Sequence, residues 1–457
     1  MAMMDGMFRW LLTPPDGKQP ETIKNADAFV PAHLAEAPAL TILVCQFDGA
    51  RGRDLSERII GFLSRRSAVV VKQLNKTLRL SGRGTLVEKY LAAAETGRKW
   101  LAGTEADILL WGDIGDTEDA NFNMRLLCAV ADTVKQPGSI GIGDTIELPY
   151  EFPEELEELI FAATIAAVGP RKSTSQGKLR EMLKESVGVL DAYVDTPPQG
   201  LPPTSQSSVM GSIGNIMASM WRLSDDGAFL DRSVNAYRAG LTAEFDSSRP
   251  MPWALAQNHL AAALQAQAKR DNSLEPLLGA ADCYRGVAAA LGSQHTNDWA
   301  LAHINLGDVL AALSNHGDRI ARLQEAAETY QRALLVFTRQ TMPGPWSELM
   351  NQIGVTMMTI GENVAGTKAL EQSAACFRQA LEVRRRDVAP LLWAQTANNL
   401  GAVTFAIYRR EANAVLLHEA AACFEGAAEV YSQHGRTRTA DVARNNLDRV
   451  RETEGAV

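Results

Sequence analysis

Long apolar runs are missing from this 457-residue chain. No stretch approaches the roughly 20 consecutive apolar residues that a membrane-crossing helix needs, so no membrane span is expected. Residues 1–12 carry one basic residue, Arg9, and a brief apolar burst, too short for the core of a secretion signal. Phe8, Trp10, Leu11 and Leu12 read as a tail folded onto the body or left loose, the less favoured alternative being docking on a partner or a membrane surface. Positive charge is also in deficit. The 45 Lys and Arg against 54 Asp and Glu leave a net charge of −9, which argues against a general binder of nucleic acid or anionic membranes. Cysteine is scarce: Cys45, Cys128, Cys283, Cys376 and Cys423 are odd in number and far apart. That pattern excludes a disulfide framework and points to a reducing compartment, the cytoplasm.

Catalytic motifs are absent as well. Gly169-Pro170-Arg171-Lys172 and Gly177-Lys178 superficially suggest a phosphate loop. Their spacing is wrong, Leu179 stands where Ser or Thr belongs, and no strand precedes them. Gly138-Ser139-Ile140-Gly141-Ile142-Gly143 lacks the dinucleotide spacing and opens no helix. The histidines at 33, 259, 295, 303, 316, 418 and 434 have no metal-ligand spacing. Residues 49–53, after the first expected strand, are the best small-ligand candidate, since parallel sheets bind ligands at strand C-terminal ends. An Arg-rich surface turn accounts for them more simply. The expectation is a non-enzyme without cofactor or metal.

A repeat is what the chain does have. Trp253, Trp299, Trp346 and Trp393 are separated by 46, 47 and 47 residues, and each is followed at one offset by Tyr284, Tyr330, Phe377 or Phe424. Seven residues after each Trp stands an aliphatic and then a small residue: Leu260-Ala261, Leu306-Gly307, Ile353-Gly354 and Leu400-Gly401. Seven residues is about two helical turns, so Trp and aliphatic share a face, and the small residue admits a neighbouring helix. Ala326, Ala327, Tyr330 and Ala333 mark a second helix. Each unit therefore reads as two antiparallel helices. Pro252, Pro345 and Asn297-Asp298 mark helix starts. Weaker copies extend the array to Ile213-Gly214 with Tyr237, and to Leu447. The sum is five helix pairs and a lone last helix. Asp441, Arg444, Asp448 and Arg451 give that helix the polar face of a solenoid cap. Cys283, Cys376 and Cys423 each precede the second-helix aromatic, where Ala236 or Thr329 stands in other units. The position wants a small buried side chain.

These residues, Trp…Leu-Gly followed by Ala-x-x-x-(Tyr/Phe), resemble the tetratricopeptide family over residues 201–457. The unit is longer than that family's roughly 34 residues, and the family's Pro at the repeat end is missing. The resemblance implies a right-handed helical solenoid whose first helices line a concave face, where an Asn hydrogen-bonds ligand backbone.

In this sequence one first-helix stripe fits that role. Counting 2, 6, 9 and 13 residues from each Trp traces one line at about 100° per residue, away from the Trp/Leu face. The second of these positions holds Ser212, His259, Asn305, Gln352, Asn399 and Asn446, uncharged throughout with His neutral. Asn258, Asn351, Asn398 and Asn445 run beside it. An amide serves both a peptide N–H and a C=O, so His259, Asn305, Gln352, Asn399, Asn446, Asn258, Asn351 and Asn398 are the partner-binding candidates. The alternative, weighed nearly equally, is that these amides brace adjacent helices.

Residues 1–37, with Pro14, Pro15, Pro20 and Pro31, read as an irregular N-terminal segment. Residues 40–47 suit a buried strand, 54–64 a helix, 68–71 a strand, 86–101 a helix, 106–111 a strand and 122–131 a fourth strand. That alternation implies a small α/β domain over 38–150 with a largely parallel sheet. Residues 151–200 read as a helical connector, with 161–168 and 179–193 apolar on one face. The proline-rich stretch 196–208 reads as a joint. The opening strand into Phe47-Asp48-Gly49, the helix through residues 59–63 and the strand at residues 105–112 resemble the amino-terminal α/β module of the TolB type. In bacteria that module often precedes tetratricopeptide repeats; the likeness implies a non-catalytic interaction module.

The fold class expected is α+β multidomain: a small N-terminal α/β domain followed by an all-α tetratricopeptide-like solenoid. The function expected is a scaffold or adaptor for a protein or peptide partner. The alternatives are a self-assembling component, a homo-oligomer, of a larger bacterial complex and, less favoured, a nucleotide or small-ligand sensor built on the α/β domain.

Overall fold

The computed structural model describes residues 27–29, 38–83, 86–117, 120–128, 136–141, 143–168, 173–242, 250–292 and 296–455. The tail at residues 1–12 and the Gly-Pro-Arg-Lys stretch 169–172 lie outside them. The chain divides into two compact units, one spanning residues 12–279 and the other holding residues 280–457.

In the first unit six strands form one mixed sheet, in the order β1-β3-β2-β4-β5-β6. They are β1 (Asp27–Phe29), β2 (Leu40–Cys45), β3 (Val69–Leu74), β4 (Ile108–Ile114), β5 (Asn121–Cys128) and β6 (Ile146–Pro149). β2 runs parallel to β3 and β4. β1, β5 and β6 pair antiparallel. This corrects two expectations. Residues 27–29 are a strand inside the segment read as irregular, and the sheet is mixed, not largely parallel. β5 was expected but runs antiparallel to β4, a direction its own sequence does not encode, and the two edge strands are too short to see. β1 has three residues and β6 has four, too few for alternation to register.

Side-chain alternation along a strand sends neighbours to opposite faces. Leu40, Ile42, Val44, Ile108 and Leu110 build one core with α1 (Gly52–Leu63). Leu43, Cys45, Leu109 and Trp111 build the other, against α2 (Leu86–Thr104). The first core continues into α3 (Glu155–Val168), α4 (Ser173–Leu190) and α6 (Pro203–Ser224), with the short α5 (Ala192–Asp195) between the last two. Residues 159–168 of α3 are all buried, as an interior helix with no polar face must be. Val209, Met210, Ile213, Ile216 and Met217 of α6 belong to this same core. The first repeat helix thus shares a core with the sheet.

The array is as the period predicts: among the described residues, five helix pairs and a final helix. In chain order they are α6 and α7 (Gly227–Gly240), α8 (Pro250–Asp271) and α9 (Glu275–Leu291), α10 (Asn297–Leu313) and α11 (Arg319–Ala333), α12 (Pro343–Asn363) and α13 (Lys368–Leu381), and α14 (Pro390–Glu411) and α15 (Ala414–Gln433), with packing shown within the first, third, fourth and fifth. α16 (Thr437–Gly455) closes it. Its Ala440, Ala443, Leu447 and Val450 are buried while Asp441, Arg444, Asp448 and Arg451 face solvent. Thr296 caps α10 by accepting from the Trp299 N–H at 3.2 Å.

The small residue of each unit has a defined job. A Cβ on Gly214, Gly307, Gly354 or Gly401 would sit 2.4, 2.6, 2.6 or 3.0 Å from the ring of Tyr237, Tyr330, Phe377 or Phe424. The second-helix aromatic lies flat on first-helix backbone, and only the missing side chain allows it. The tryptophans do less of the core packing than their regularity suggests. Trp346 and Trp393 are half-buried. Each is covered by a guanidinium from the preceding turn, Arg339 at 5.6 Å and Arg386 at 5.2 Å from the ring centre. Those arginines also pair with Glu382 and Glu429 at 2.5 and 2.7 Å, so Trp346 and Trp393 share an Arg–Trp–Glu clasp, while Trp299 is buried against His303.

Candidate functional site

The stripe of first-helix positions divides into two chemically different stretches, one in each unit. In the first unit it is already in contact with chain. Residues 136–141 and 143–145, between β5 and β6, and the start of β6 lie against α6 and α8. Ser208 Oγ donates to the Thr145 carbonyl at 3.1 Å and accepts from the Glu147 N–H at 2.8 Å. Ser219 Oγ donates to the Gly138 carbonyl at 3.2 Å. Gly138 has φ of +79°, and a Cβ there would lie 2.6 Å from the Asn215 carbonyl. Ser208, Asn215 and Ser219 are the stripe positions 2, 9 and 13 of that unit.

His259, at the stripe position of α8, joins the same segment. Its Nε2 lies 2.8 Å from Asp144 Oδ1, and both side chains are largely buried. Asp144 Oδ2 also accepts from the Gly141 N–H at 2.6 Å. The Tyr237 ring stacks on the imidazole at 5.9 Å between centres, and its hydroxyl donates to Asn215 Oδ1 at 2.7 Å. Burial pulls the His259 pKa down, but the charge and hydrogen bond of Asp144 more than offset this and hold it above the ordinary 6.5. Asn258, beside it, is half-buried with its Oδ1 unpartnered among the described residues.

In the second unit the stripe is a polar network. Asn351 is buried. Its Oδ1 accepts from Asn399 Nδ2 at 3.4 Å and lies 3.2 Å from Thr396 Oγ1. Asn399 is buried too, so this pair braces α12 against α14. Arg384, from the turn between α13 and α14, is only 2% exposed. It donates to Glu348, to Thr396 Oγ1 at 2.9 Å and to Ser347 Oγ at 3.4 Å. Burial lowers the Arg384 pKa and Glu348 pulls it back up. Gln352 donates to Glu348 Oε1 at 3.3 Å and is half-buried. Asn305, Asn398 and Asn446 are half-buried, and Asn398 Oδ1 has no partner among the described residues. Sequence reasoning found the amides but missed Arg384, which the period does not single out from Arg385 and Arg386.

Residues 49–53 form a tight strand-to-helix turn. A Cβ on Gly49, where φ is +112°, would meet the Ile114 carbonyl at 2.4 Å. Arg51 donates to the Thr117 carbonyl at 2.7 Å and lies over the Tyr150 ring. Arg79 pairs with Asp48 at 2.8 Å. These contacts tie the turn to its own fold. A cavity of about 470 Å³ lies near the occupied stripe, lined by Gln136, Pro137, Ile165, Ser219, Trp221 and Arg222. Among the described residues no group of three His, Cys, Asp or Glu could hold a metal, and no helix is long and apolar enough to cross a membrane.

No family model and no curated protein matches the chain. Solved structures resemble it weakly. BtubC (BKLC) from P. vanneervenii is 18% identical over 50% of this chain and 91% of its own, with a TM-score of 0.29. The apo form of RapI is 9% identical over 67% of this chain and 100% of its own, at 0.34. The APC/C hetero-tetramer Cut9-Hcn1 is 15% identical over 65% of this chain and 52% of its own, at 0.28. At such TM-scores these likenesses assign neither family nor function. The helical-repeat fold stands on the period and its packing, and the TolB-type likeness gains no support.

Proposed function

We propose that the chain is a non-catalytic scaffold that binds an extended segment of a protein partner along the first-helix stripe, in a reducing compartment. One observation carries this reading. On α6 the stripe positions Ser208 and Ser219 already hold backbone through side-chain hydrogen bonds, and on α8 His259 holds the Asp144 carboxylate of the same segment. A hydroxyl or amide that satisfies main-chain groups tolerates many sequences. In the second unit Asn305, Gln352, Asn398 and Asn446 are the half-exposed amides available for the same work. Asn351 and Asn399 support them from behind.

The test uses partners captured by cross-linking in the native cell. Asn305→Ala with Gln352→Ala should lower capture at least about tenfold while the melting temperature stays put. Unchanged capture would remove the stripe of the second unit from the binding surface. A molecular mass in solution that is a multiple of the chain's would favour the self-assembling reading. Stabilisation by a nucleotide panel would favour the sensor.

A further inference from the structure

The cavity of about 470 Å³ in the first unit has a graded lining. Its floor is apolar and buried, built from Ile165 and Ala166 of α3 and Leu179 of α4. Ala166 is the short side chain among them. Toward solvent the wall passes to Trp221 and Leu223 of α6, both half-buried. A space of this size, apolar within and polar at one side, has the dimensions and the chemistry of small-molecule sites.

One polar corner is built in advance. Arg222, half-buried at the mouth, donates to Gln136 Oε1 and to Ser219 Oγ, each at 3.1 Å. Ser219 in turn donates to the Gly138 carbonyl. These acceptors are uncharged and set the orientation of the guanidinium. A cation on a low-dielectric wall acts on an anion more strongly than one in open water. Asp225, the other charged group of the lining, is exposed, so water and salt screen it.

We propose that this cavity binds a small amphipathic anion, a monocarboxylate with an aryl or branched alkyl body. The body lies on Ile165, Ala166 and Leu179, and the indole of Trp221 gives a flat ring a surface to pack on. The carboxylate stays at the mouth beside Arg222, whose planar fork matches it. A nucleotide does not suit this lining, because a chain of phosphates needs more donors than one guanidinium supplies.

The experiment titrates the full chain, by calorimetry, with naphthoate and with its uncharged isostere naphthamide. Naphthoate should bind at one site per chain, at least about tenfold more tightly than naphthamide. Arg222→Gln should erase that preference and leave the weaker amide binding in place. Leu223→Trp adds bulk from a half-buried position and should weaken both compounds at least about tenfold. Melting temperatures show that each variant folds. Contacts between naphthoate protons and the Ile165 and Leu179 methyls, read by nuclear Overhauser effects in the unaltered chain, answer the same question without a variant. The proposal is overturned by naphthoate binding that survives Leu223→Trp, by equal affinity for the two compounds, by missing methyl contacts, or by no saturable binding in the millimolar range. The scaffold reading is tested on Asn305 and Gln352, so it stands or fails separately.

Discussion

The guanidinium of Arg384 is enclosed in the helical repeat against the carboxylate of Glu348, one from an inter-helix turn and the other from the stripe of α12. A buried pair of this kind contributes little net stability against an apolar replacement, yet leaves a stranded charge when one member is removed. Its value here is positional. It orients Thr396 and, through Glu348, Gln352.

Substituting Glu348→Leu or Arg384→Met alone should therefore cost about 3–5 kcal/mol. The double variant Glu348→Leu with Arg384→Met should recover most of that loss. Urea unfolding of the wild type and the three variants closes the cycle. Additive losses would show that the two charges do not depend on each other.

Two glycines make a matched pair. Gly354→Ala puts a Cβ 2.6 Å from the Phe377 ring and should destabilise by roughly 1–3 kcal/mol through overpacking. Gly211→Ala, in the interior of α6 with nothing within 4 Å of the new atom, should stabilise by about 0.5–1 kcal/mol. Melting temperatures moving in opposite directions is the expected result.

Two histidines should give opposite pH signatures. His259 faces Asp144 from the β5–β6 segment and Tyr237 from α7, and Arg222 of α6 acts on that tyrosine. Its folded pKa lies above 6.5, so its contribution is full below that value and is lost as pH rises through the folded one. His303 packs on Trp299 at 4.2 Å, and burial, then Arg332, lowers its pKa to about 4. Its contribution is full above 6.5 and is lost as pH falls toward 4. The melting deficit of His259→Gln should shrink from about pH 6 to about pH 8.5. His303→Gln should flatten the loss of stability on the acid side. A deficit for His259→Gln that grows with alkalinity would contradict the ion pair.

The thiols should be inert. Burial raises Cys376 and Cys423 to about 11 and Cys45 to about 12. At about pH 8 the thiolate that attacks a disulfide reagent is then scarce. Ellman's reagent should leave all three unreacted in the native chain and titrate them in denaturant. Fast native reaction at Cys376 would place it outside the second-helix core.

Sequence alone determined the helical array. Its signal is periodic and local: an aromatic is matched by a small residue about one helix-hairpin away, glycine at 214, 307, 354 and 401 and alanine at 261. Tyr237 on Gly214 was legible even where the Trp had been replaced by Gln206. Strands β2, β3 and β4 were legible because each spans six or more residues of largely buried, β-branched or aliphatic chain, and β5 through its length and the buried Phe122, Met124, Leu126 and Leu127. β1 and β6 were not, since pairing with a longer neighbour creates them. The stripe of amides was also legible, but not the use each amide serves. Asn351 and Asn399 have the same composition as Asn305 and differ from it only in what lies opposite. His259 meets Asp144 across 115 residues, a separation that no window or spacing rule can span. Periodicity reports which residues share a face; only tertiary folding decides which faces meet.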